Sequence, residues 1–442
     1  MTMDHVKEEP SHPQGHRYKQ SEALLQRALQ TIPLGSQTFS KSKVQFPYGA
    51  APFFIEKGQG CRVWDVDGNE YIDFINSLAA ISLGYNDPDI NRAVAAQLEQ
   101  GIIFSLPHKL EMEVAERLVA MVPCVEMVRF GKNGSDATAG AIRLARAYTK
   151  RNHVAVCGYH GWQDWYIGST ARHLGVPDVV RELTHTFAYN DLASLETIFA
   201  RYPDQLAAVI MEPMNVAFPK DDFLTKVKDL THQHGAILIF DETITGFRYA
   251  IGGAQEYFGV IPDLATFGKG LANGYPLSAI GGRKEIMRFM EDIFFSFTFG
   301  GEALSLAAAR ATLDKLRREP VLETMWTRGK QLLDGVREMI ALHGMEHIFE
   351  AAGQPVWSFL LMRDAGGYSS FEIRTLFMQE ILARGILGLG SHNVSYSHSV
   401  GDVERLISVY GEVFPIIKDA VDNKQMARFL RCEPLQPLFK VR

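Results

Sequence analysis

Three apolar runs between residues 207 and 267 decide the fold: AAVIM at 207–211, AILIF at 236–240 and LATF at 264–267. Each run is short, is apolar at consecutive positions, and is flanked by polar residues, glycine or proline. Strands that are buried on both faces of a parallel sheet have this pattern. Because helical patterns lie between several of the runs, the stretch predicts βαβ units with right-handed crossovers.

The same alternation continues towards the N-terminus. Further strand-like runs lie at 126–130 and 153–157, among helical patterns at 89–101, 110–121 and 136–149. Before them, the stretch CRVWDVDGNEYIDF at 61–74 predicts two short strands around a turn at Asp67-Gly68. From about residue 303 the pattern changes to long helices and shorter mixed segments; the helices are expected at 303–318, 322–342 and 402–423.

These patterns predict an α/β protein with two domains. We expect a large, mostly parallel α/β/α sheet domain at 61–310 and a smaller α+β domain at 311–442. An N-terminal segment at 1–60, partly flexible, is expected to pack with the small domain. Within it, residues 1–20 are expected to be a flexible leader, followed by a short helix from Ser21 to about Thr31.

The composition limits the class of protein. With 46% hydrophobic and 22% charged residues in 442, the chain has the balance of a soluble globular protein. Its formal net charge of −6 gives no electrostatic case for a nucleic acid or an anionic membrane as partner. The four cysteines are too sparse for a disulfide scaffold, so a reducing compartment is expected. No signal peptide or membrane-spanning stretch is found, and we therefore expect a cytoplasmic protein.

Ligands of an open α/β sheet bind beyond the C-terminal ends of its strands, so the residues after each apolar run are the site candidates. GKNGSDAT at 131–138 precedes a helix, whose first N–H groups favour a phosphate, although a simple helix cap is an alternative. GYHGW at 158–162 places Tyr159 where its ring would either stack on a flat ligand or pack in the core.

Acidic residues and a lysine follow the other three runs, namely Glu212, Asp241-Glu242 and Lys269. From the residues alone, the acids could equally be metal ligands or loop caps, and a surface lysine is the favoured interpretation of Lys269 taken by itself. The loop that begins at Asp65 lacks the glycine and the glutamate of a calcium loop, so no metal site is predicted. Taken together, a phosphate cradle, an aromatic ring, an acid and a lysine suit a phosphorylated, cationic-ring aldehyde cofactor held by a Schiff base.

With these motifs the chain resembles the class III aminotransferases, which are pyridoxal-phosphate enzymes of fold type I. Within that family it is most similar to the glutamate-1-semialdehyde 2,1-aminomutase branch and its aminotransferase relatives. The matching segments agree in order and spacing over most of the chain; they are VWDVDGNEYIDF at 63–74, residues 130–138, 158–162 and 211–213, IFDETITGFR at 239–248, PDLATFGKGLANGYP at 262–276 and residues 298–301.

The resemblance implies a role for each candidate. Lys269 would form the Schiff base with pyridoxal 5′-phosphate and move the substrate proton, and Asp241 would pair with the pyridinium nitrogen. The remaining cofactor contacts would be phosphate binding by Gly134 and Ser135, ring stacking by Tyr159, and Glu212 near the cofactor hydroxyl. Thr298 would reach the phosphate of the neighbouring subunit's cofactor, which implies a homodimer with shared active sites.

The implied reaction is transfer of an amino group from an amino-acid donor to a carbonyl acceptor by a ping-pong mechanism. Two departures from the family pattern bear on it. Thr243 replaces the valine that usually packs on the cofactor ring, and residues 35–43, GSQTFSKSK, lack the arginine with which the aminomutase branch binds the substrate carboxylate. A lysine lacks the bidentate fork of that arginine.

The missing arginine makes a hydroxylated or phosphorylated acceptor, with a keto sugar as the leading class, our expectation. Residues 35–43 and 392–398 are candidates to contact it, or are simply packing segments, and Arg248 or Arg374 would be the arginines able to restore carboxylate binding. The alternatives are an intramolecular aminomutase, and a ligand-binding regulator. The regulator ranks last because Lys269 is present and residues 1–20 are too short for a DNA-binding segment.

Overall fold

The computed structural model describes residues 17–436. Its strands are, in chain order, β1 (Ile55–Gln59), β2 (Arg62–Asp65), β3 (Glu70–Asp73), β4 (Met127–Gly131), β5 (His153–Cys157), β6 (Thr184–Thr186), β7 (Leu206–Met211), β8 (Ile237–Asp241), β9 (Leu264–Phe267), β10 (Ser278–Gly282), β11 (Phe349–Gln354), β12 (Trp357–Met362), β13 (Ile386–Leu387) and β14 (Ser391–His392). They form one seven-stranded sheet and two smaller ones.

The described residues also contain α-helices. They are α1 (Lys19–Ala28), α2 (Pro88–Leu98), α3 (Lys109–Met121), α4 (Gly134–Thr149), α5 (Asp164–Ile167), α6 (Asp178–Arg181), α7 (Leu192–Arg201), α8 (Phe223–Gln233), α9 (Ala254–Phe258), α10 (Lys284–Met287), α11 (Ala303–Arg318), α12 (Val321–His343), α13 (Ser370–Ala383), α14 (Val400–Asp422) and α15 (Met426–Phe429). The short segment Asn76–Ala79 is a left-handed turn, because the four residues have positive φ.

The seven-stranded sheet has the order β4-β10-β9-β8-β7-β5-β6. The pairs from β9 through β6 are parallel, and β10 runs antiparallel to both of its neighbours. The central strands β7, β8 and β9 are buried at every residue, which confirms the expectation from their unbroken apolar runs. The mostly parallel α/β sheet predicted from the sequence is therefore present.

Helices cover both faces of this sheet. Successive side chains of a strand point to opposite faces, so neighbouring residues of one strand pack against different helices. In β7, Ile210 packs in a cluster with α4, whereas Val209 packs in a second cluster with α7 and α8. This three-layer arrangement leaves the C-terminal strand ends and the loops that follow them as the place where polar side chains can converge.

The N-terminal and C-terminal parts of the described chain pack together. Strand β13 pairs in parallel with β3 in the four-stranded sheet β1-β2-β3-β13, and the hairpin expected at 61–74 is formed by β2 and β3. A three-stranded antiparallel sheet, β11-β12-β14, lies in the C-terminal part. The domain boundaries at residues 60 and 310 stay a prediction.

Two sequence-based expectations about the N-terminal end and the strands need correction. Residues 17–20 are not a flexible leader, because Tyr18 is buried and the Arg17 guanidinium donates to the carbonyl oxygens of Leu382 and Ala383; residues 1–16 lie outside the described residues. Strands β6 and β10 were not anticipated, since THT and SAIGG are too short or too glycine-rich to stand out. Over residues 17–436, no helix has the length and apolarity needed to cross a membrane.

Candidate active site

Three loops meet at the C-terminal edge of the large sheet, around Thr243. A Cβ atom placed on Gly134 would lie 3.2 Å from Thr243 Cγ2, and one placed on Gly268 would lie 3.4 Å from the same atom. The Gly268 Cβ would also lie 3.9 Å from Gly134 Cα. The loops after β4, β8 and β9 are therefore in direct contact, so the predicted phosphate cradle, acid and lysine share one place.

The loop between β4 and α4 forms the cradle. Asn133 caps α4 through a capping box with Asp136, and the Asp136 carboxylate also accepts the N–H groups of Lys132 and Asn133. The next N–H groups, those of Gly134 and Ser135, belong to the first helical turn, which has no intrahelical partners for its donors. They form the positive end of a sixteen-residue helix, a position that favours a phosphate.

Ser135 is brought to the loop that follows β5. Its Oγ accepts the Trp162 N–H at 3.2 Å, and a Cβ on Gly161 would lie only 2.2 Å from that Oγ. Glycine is thus required at 161 for this close approach, and Gly161 also has a positive φ of 104°. The approach fixes the Ser135 hydroxyl at the start of α4.

Lys269 directly follows β9 and Gly268. Its φ is +42°, a left-handed conformation that costs a non-glycine residue energy. The side chain is half-buried rather than exposed, and the residue begins a 3₁₀ turn over Lys269–Ala272. The exposed Lys150 and Lys424 share this positive φ, so it is the partial burial of Lys269 at the end of β9 that disfavours the surface-lysine interpretation of the sequence.

Asp241 ends β8 and is almost completely buried. Its Oδ1 accepts from Thr243 N at 3.1 Å and Thr266 Oγ1 at 3.0 Å, and its Oδ2 lies 2.8 Å from His160 Nδ1. Burial by itself would raise the pKa of this carboxyl, but the bonds from His160 and Thr243 outweigh it and the pKa is lowered. Asp241 is therefore an ionised buried carboxylate.

Glu212 and Tyr159 lie next to each other across β7 and β5. Glu212 Oε2 accepts from Tyr159 N at 3.1 Å and from Asn215 Nδ2 at 2.9 Å. Gly158 allows this contact, because its φ is +110° and a Cβ there would lie 2.4 Å from Glu212 Oε2. The Tyr159 ring is partly exposed and meets Tyr166 edge-on, with centroids 5.7 Å apart. It presents an aromatic face at the sheet edge.

His160 is the site residue that sequence reasoning missed. Its neighbour Tyr159 was singled out, whereas His160 received no role although it stands in the same GYHGW motif. The signal was the pairing of β5 with β7 and β7 with β8, which places the loop after β5 within reach of the end of β8. A carboxylate only accepts, so His160 Nδ1 carries the proton that Asp241 binds.

Glu242, the second acid after β8, belongs to the scaffold. Its carboxylate accepts from the N–H groups of Ala254 and Gln255 at the start of α9 and from Thr245 Oγ1. The loop-cap alternative is thus correct for Glu242. Within residues 17–436, no group of His, Cys, Asp and Glu side chains could hold a metal ion.

Thr298 is the one predicted site residue that the single chain does not bring to this edge. It lies in an exposed turn between Phe297 and Phe299. Within the described part of the chain, no recorded contact joins it to the other predicted site residues.

Residues 35–43 are linked to the Lys269 loop through the segment at 77–82. Lys41 Nζ is 3.5 Å from Ser77 Oγ in the left-handed turn, and the chain just beyond that turn touches the lysine loop, where a Cβ on Gly270 would lie 2.8 Å from Ser82 Oγ. The Phe39 ring carries the Arg172 guanidinium 5.2 Å from its centroid. Arg172 was not anticipated, because it is distant in sequence from residues 35–43.

Of the arginines proposed to restore carboxylate binding, Arg248 reaches the segment at 79–82 but is fixed there, and Arg374 lies elsewhere. Arg248 is fully buried, and its terminal nitrogens donate to the carbonyl oxygens of Val356 and Val394 and approach Ala79 O and Ser82 Oγ. It joins three parts of the chain and is not available to swing out. Arg374 lines a separate cavity of about 260 Å³ in the C-terminal part, between α13 and β12.

The histidines at 392–398 are internal as well, which favours the packing alternative for that segment. His392 is buried between Ser358 Oγ at 2.9 Å and Tyr410 Oη at 2.8 Å. His398 is buried beside Ser395, and its ring is tilted against that of Phe74, with centroids 4.5 Å apart. Both are structural residues of the C-terminal part.

The residues of this edge fit the predicted cofactor. An ionised buried carboxylate suits a protonated ring nitrogen, the start of α4 suits a phosphate, and Lys269 suits an aldehyde. Thr243 Oγ1 is buried without a hydrogen-bond partner among residues 17–436, and it lies 3.4 Å from where a Cβ on Gly134 would be. A polar group bound between the cradle and Thr243 would give that hydroxyl a partner.

Comparisons with known proteins agree with this geometry. The family model described as aminotransferase class-III matches residues 45–352. The chain is 34% identical over 408 residues to a 3-aminobutyryl-CoA aminotransferase from Cloacimonas acidaminovorans (strain Evry), covering 90% of this chain and 97% of that relative. It is also 34% identical over 425 residues to a glutamate-1-semialdehyde 2,1-aminomutase from Aquifex aeolicus (strain VF5), covering 91% and 99%.

A solved structure supports the same assignment. The internal aldimine form of the FumI protein of Sphingopyxis sp. MTA144, with pyridoxal phosphate, matches with a TM-score of 0.86 and 29% identity, over 94% of this chain and 99% of that one. Fold type I is therefore the fold of this chain.

Proposed function

Because the chain belongs to the class-III aminotransferase family and its cofactor is pyridoxal 5′-phosphate, we propose that it transfers an amino group from an amino-acid donor to a separate carbonyl acceptor by a ping-pong mechanism. The observation that carries this proposal is the convergence of Lys269, the ionised Asp241 and the Gly134–Ser135 helix start around Thr243. These three groups match the aldehyde, the ring nitrogen and the phosphate of the cofactor.

The chemistry that the bound cofactor supplies is an aldehyde carbon that takes up the amino group and a ring that withdraws electrons from the substrate. The residues of the chain bind and orient it. Gly134 and Ser135 would hold the phosphate, Tyr159 would cover one ring face, and Glu212 would stand near the ring hydroxyl. Asp241, kept ionised by His160 and Thr243, would hold the proton on the ring nitrogen.

Lys269 has two tasks in this proposal. Its amine would bind the cofactor aldehyde covalently, and once released by the substrate it would move a proton at the substrate Cα. The left-handed backbone at +42° fixes where the side chain starts, between Gly268 and the buried 3₁₀ turn.

The surroundings of residues 35–43 support an acceptor that carries phosphate. Lys41 belongs to this segment and the Arg172 guanidinium lies over the Phe39 ring, so two cations accompany residues 35–43, and both suit an anionic phosphate. A nucleotide-linked keto sugar, with hydroxyls and a diphosphate, is our leading class. One relative is named for a coenzyme A thioester, which carries phosphates too, so a keto-acyl-CoA is the matched comparison.

A homodimer with shared active sites is part of the proposal. The turn with Thr298 is joined to the segment before α3 by a 2.8 Å hydrogen bond from Ala303 N to Ile102 O. The Thr298 turn and the segment before α3 carry exposed apolar side chains, namely Ile102, Ile103, Phe104, Leu106, Phe297 and Phe299. Contiguous exposed apolar side chains of this kind mark protein–protein contacts, and a second copy would bring Thr298 to its partner's cofactor.

We also propose that the protein works in the reducing environment of the cytoplasm. All four cysteines are free thiols, namely Cys61, Cys124, Cys157 and Cys432. Burial raises the pKa of the Cys61, Cys124 and Cys157 thiols to about 12, which keeps them unreactive at neutral pH.

The second candidate function is an intramolecular aminomutase, favoured by the 34% identity with the Aquifex enzyme. An aminomutase converts one substrate and consumes no separate acceptor. The two candidate functions are distinguished by incubating the enzyme with glutamate-1-semialdehyde alone and measuring 5-aminolevulinate. Efficient formation would put the aminomutase first. No formation, together with keto-acid release from an amino-acid donor, is the result expected for the aminotransferase.

A further inference from the structure

Lys132, inside the phosphate cradle, is tied to the turn that carries Thr298. Its Nζ lies 2.9 Å from Glu302 Oε2 and 3.3 Å from Ser305 Oγ. The side chains of the pair are only 18% and 14% exposed. The cradle loop therefore has a nearly buried ionic contact with a segment more than 160 positions away in sequence.

The Glu302 side chain is itself held in place by hydrogen bonds within that segment. It is the N-cap of α11, and its carboxylate accepts from Leu304 N at 2.7 Å, from Ser305 N at 3.2 Å and from Ser305 Oγ at 2.5 Å. Its own N–H donates to Phe299 O. The turn at 297–300 thus leads directly into the cap that Lys132 binds.

The pair is held as an ion pair despite its burial. Burial alone would raise the pKa of Glu302, but the bonds from Ser305 and Lys132 outweigh it and the pKa is lowered. When one partner of such a pair is removed, the other charge stays in a poorly hydrated place. The cradle and the turn would then lose their common anchor.

We propose that Lys132 and Glu302 are positioning residues that lock the cofactor's phosphate cradle to the Thr298 turn, so that cofactor affinity and subunit association depend on one ion pair. The inference rests on the proposed function, since it takes Thr298 to serve the partner's cofactor. Lys132 itself sits one residue before the helix cap Asn133, and its main-chain N–H is bound by Asp136. A shift of Lys132 is therefore a shift of the cradle.

A matched control exists at the other end of α11. Lys315 Nζ binds the Asp87 carboxylate at 2.7 Å, and Asp87 is the N-cap of α2. This pair is also a buried lysine on a helix cap, at 8% and 6% exposure. An α-helix rises about 1.5 Å per residue, so Lys315 lies on the order of 20 Å from Glu302.

The test measures two equilibria in Lys132→Met, Glu302→Gln, the double variant, Lys132→Arg and Lys315→Met. The first is the dissociation constant of pyridoxal 5′-phosphate from the apoenzyme, followed by absorbance of the lysine-bound cofactor. The second is the dimer dissociation constant from sedimentation. The wild type is measured first. If it neither binds the cofactor nor dimerises, the proposed function fails before the inference is reached.

Each neutral single variant is expected to raise both constants by about tenfold, as for loss of a charge-assisted contact. The double variant should be no worse than the poorer single variant, because the two residues act through one contact, and Lys132→Arg should stay near the wild type. Lys315→Met should lower the unfolding midpoint while leaving cofactor affinity unchanged. The inference is overturned by unchanged constants in either single variant, by a double variant whose effect is the product of the singles, or by an equal loss of cofactor affinity in Lys315→Met.

Discussion

His160 Nδ1 lies 2.8 Å from Asp241 Oδ2, and both side chains are almost completely buried. The two residues come from the ends of β5 and β8, which are separated in the sheet by β7. The contact is thus made by the fold rather than by local sequence, and it sets the ionisation of the carboxylate that would face the cofactor ring nitrogen.

Removing the His160 contact should move the acid limit of activity. His160→Leu takes away the donor that lowers the pKa of Asp241, so the pKa should rise and activity should be lost at a higher pH than in the wild type. His160→Asn keeps an N–H donor close to the Nδ1 position and is the control. The pH profile of kcat/KM checks this; identical acid limbs in all three proteins would remove His160 from the role.

Asp241→Asn should be far more damaging than either His160 variant. The amide keeps the shape of the side chain but not its charge, so the ring nitrogen would no longer stay protonated. We expect kcat to fall by several orders of magnitude and the cofactor to be lost more readily on dialysis. Turnover like that of the wild type would contradict the assignment.

Arg172→Gln should weaken binding of the acceptor and leave the half-reaction with the donor unaffected. The guanidinium over Phe39 is proposed to bind acceptor phosphate, so the KM of a nucleotide-linked keto sugar should rise about tenfold, the loss expected for one charge-assisted contact. The donor half-reaction, measured as keto acid released without acceptor, should be unchanged. Assay of a keto-acyl-CoA alongside distinguishes the two acceptor classes. An unchanged KM for both would exclude Arg172 from acceptor binding.

The C-terminal part should lose stability between pH 6.5 and 4. Burial lowers the pKa of His392 and of His398 to about 4, so the unfolded chain takes up protons before the folded one does. The stabilising contribution is complete above the unfolded pKa near 6.5 and is lost as the pH falls towards 4, by about 2 kcal/mol per histidine at pH 5. His392→Gln should flatten the pH dependence of the urea midpoint; an equally steep curve would show that His392 does not cause it.

The sequence was sufficient to predict five strands of the large sheet, β4, β5, β7, β8 and β9, and to point to candidate site residues after them, because both have local signals. Unbroken apolar runs marked β7, β8 and β9, and the residues after them included Glu212, Asp241 and Lys269. Strand ends of a parallel sheet share one edge, so placing the residues after the strands amounted to placing the site.

The features that were missed are those that depend on distant segments. The His160–Asp241 contact, the Lys132–Glu302 pair and the stacking of Arg172 on Phe39 each join residues far apart in the chain. The same holds for Arg248, which was proposed as a substrate ligand: its burial among carbonyl oxygens of three segments depends on packing that no motif encodes.

The attachment point of the cofactor tests the account most directly. Reduction of the loaded enzyme with borohydride, followed by peptide mapping by mass spectrometry, identifies the lysine that holds the cofactor. We predict one modified residue, Lys269, and no modification together with no activity in Lys269→Ala, whose unfolding midpoint should stay close to the wild type because the side chain is only half-buried. Modification at Lys132 or another lysine, or normal turnover by Lys269→Ala, would contradict the account.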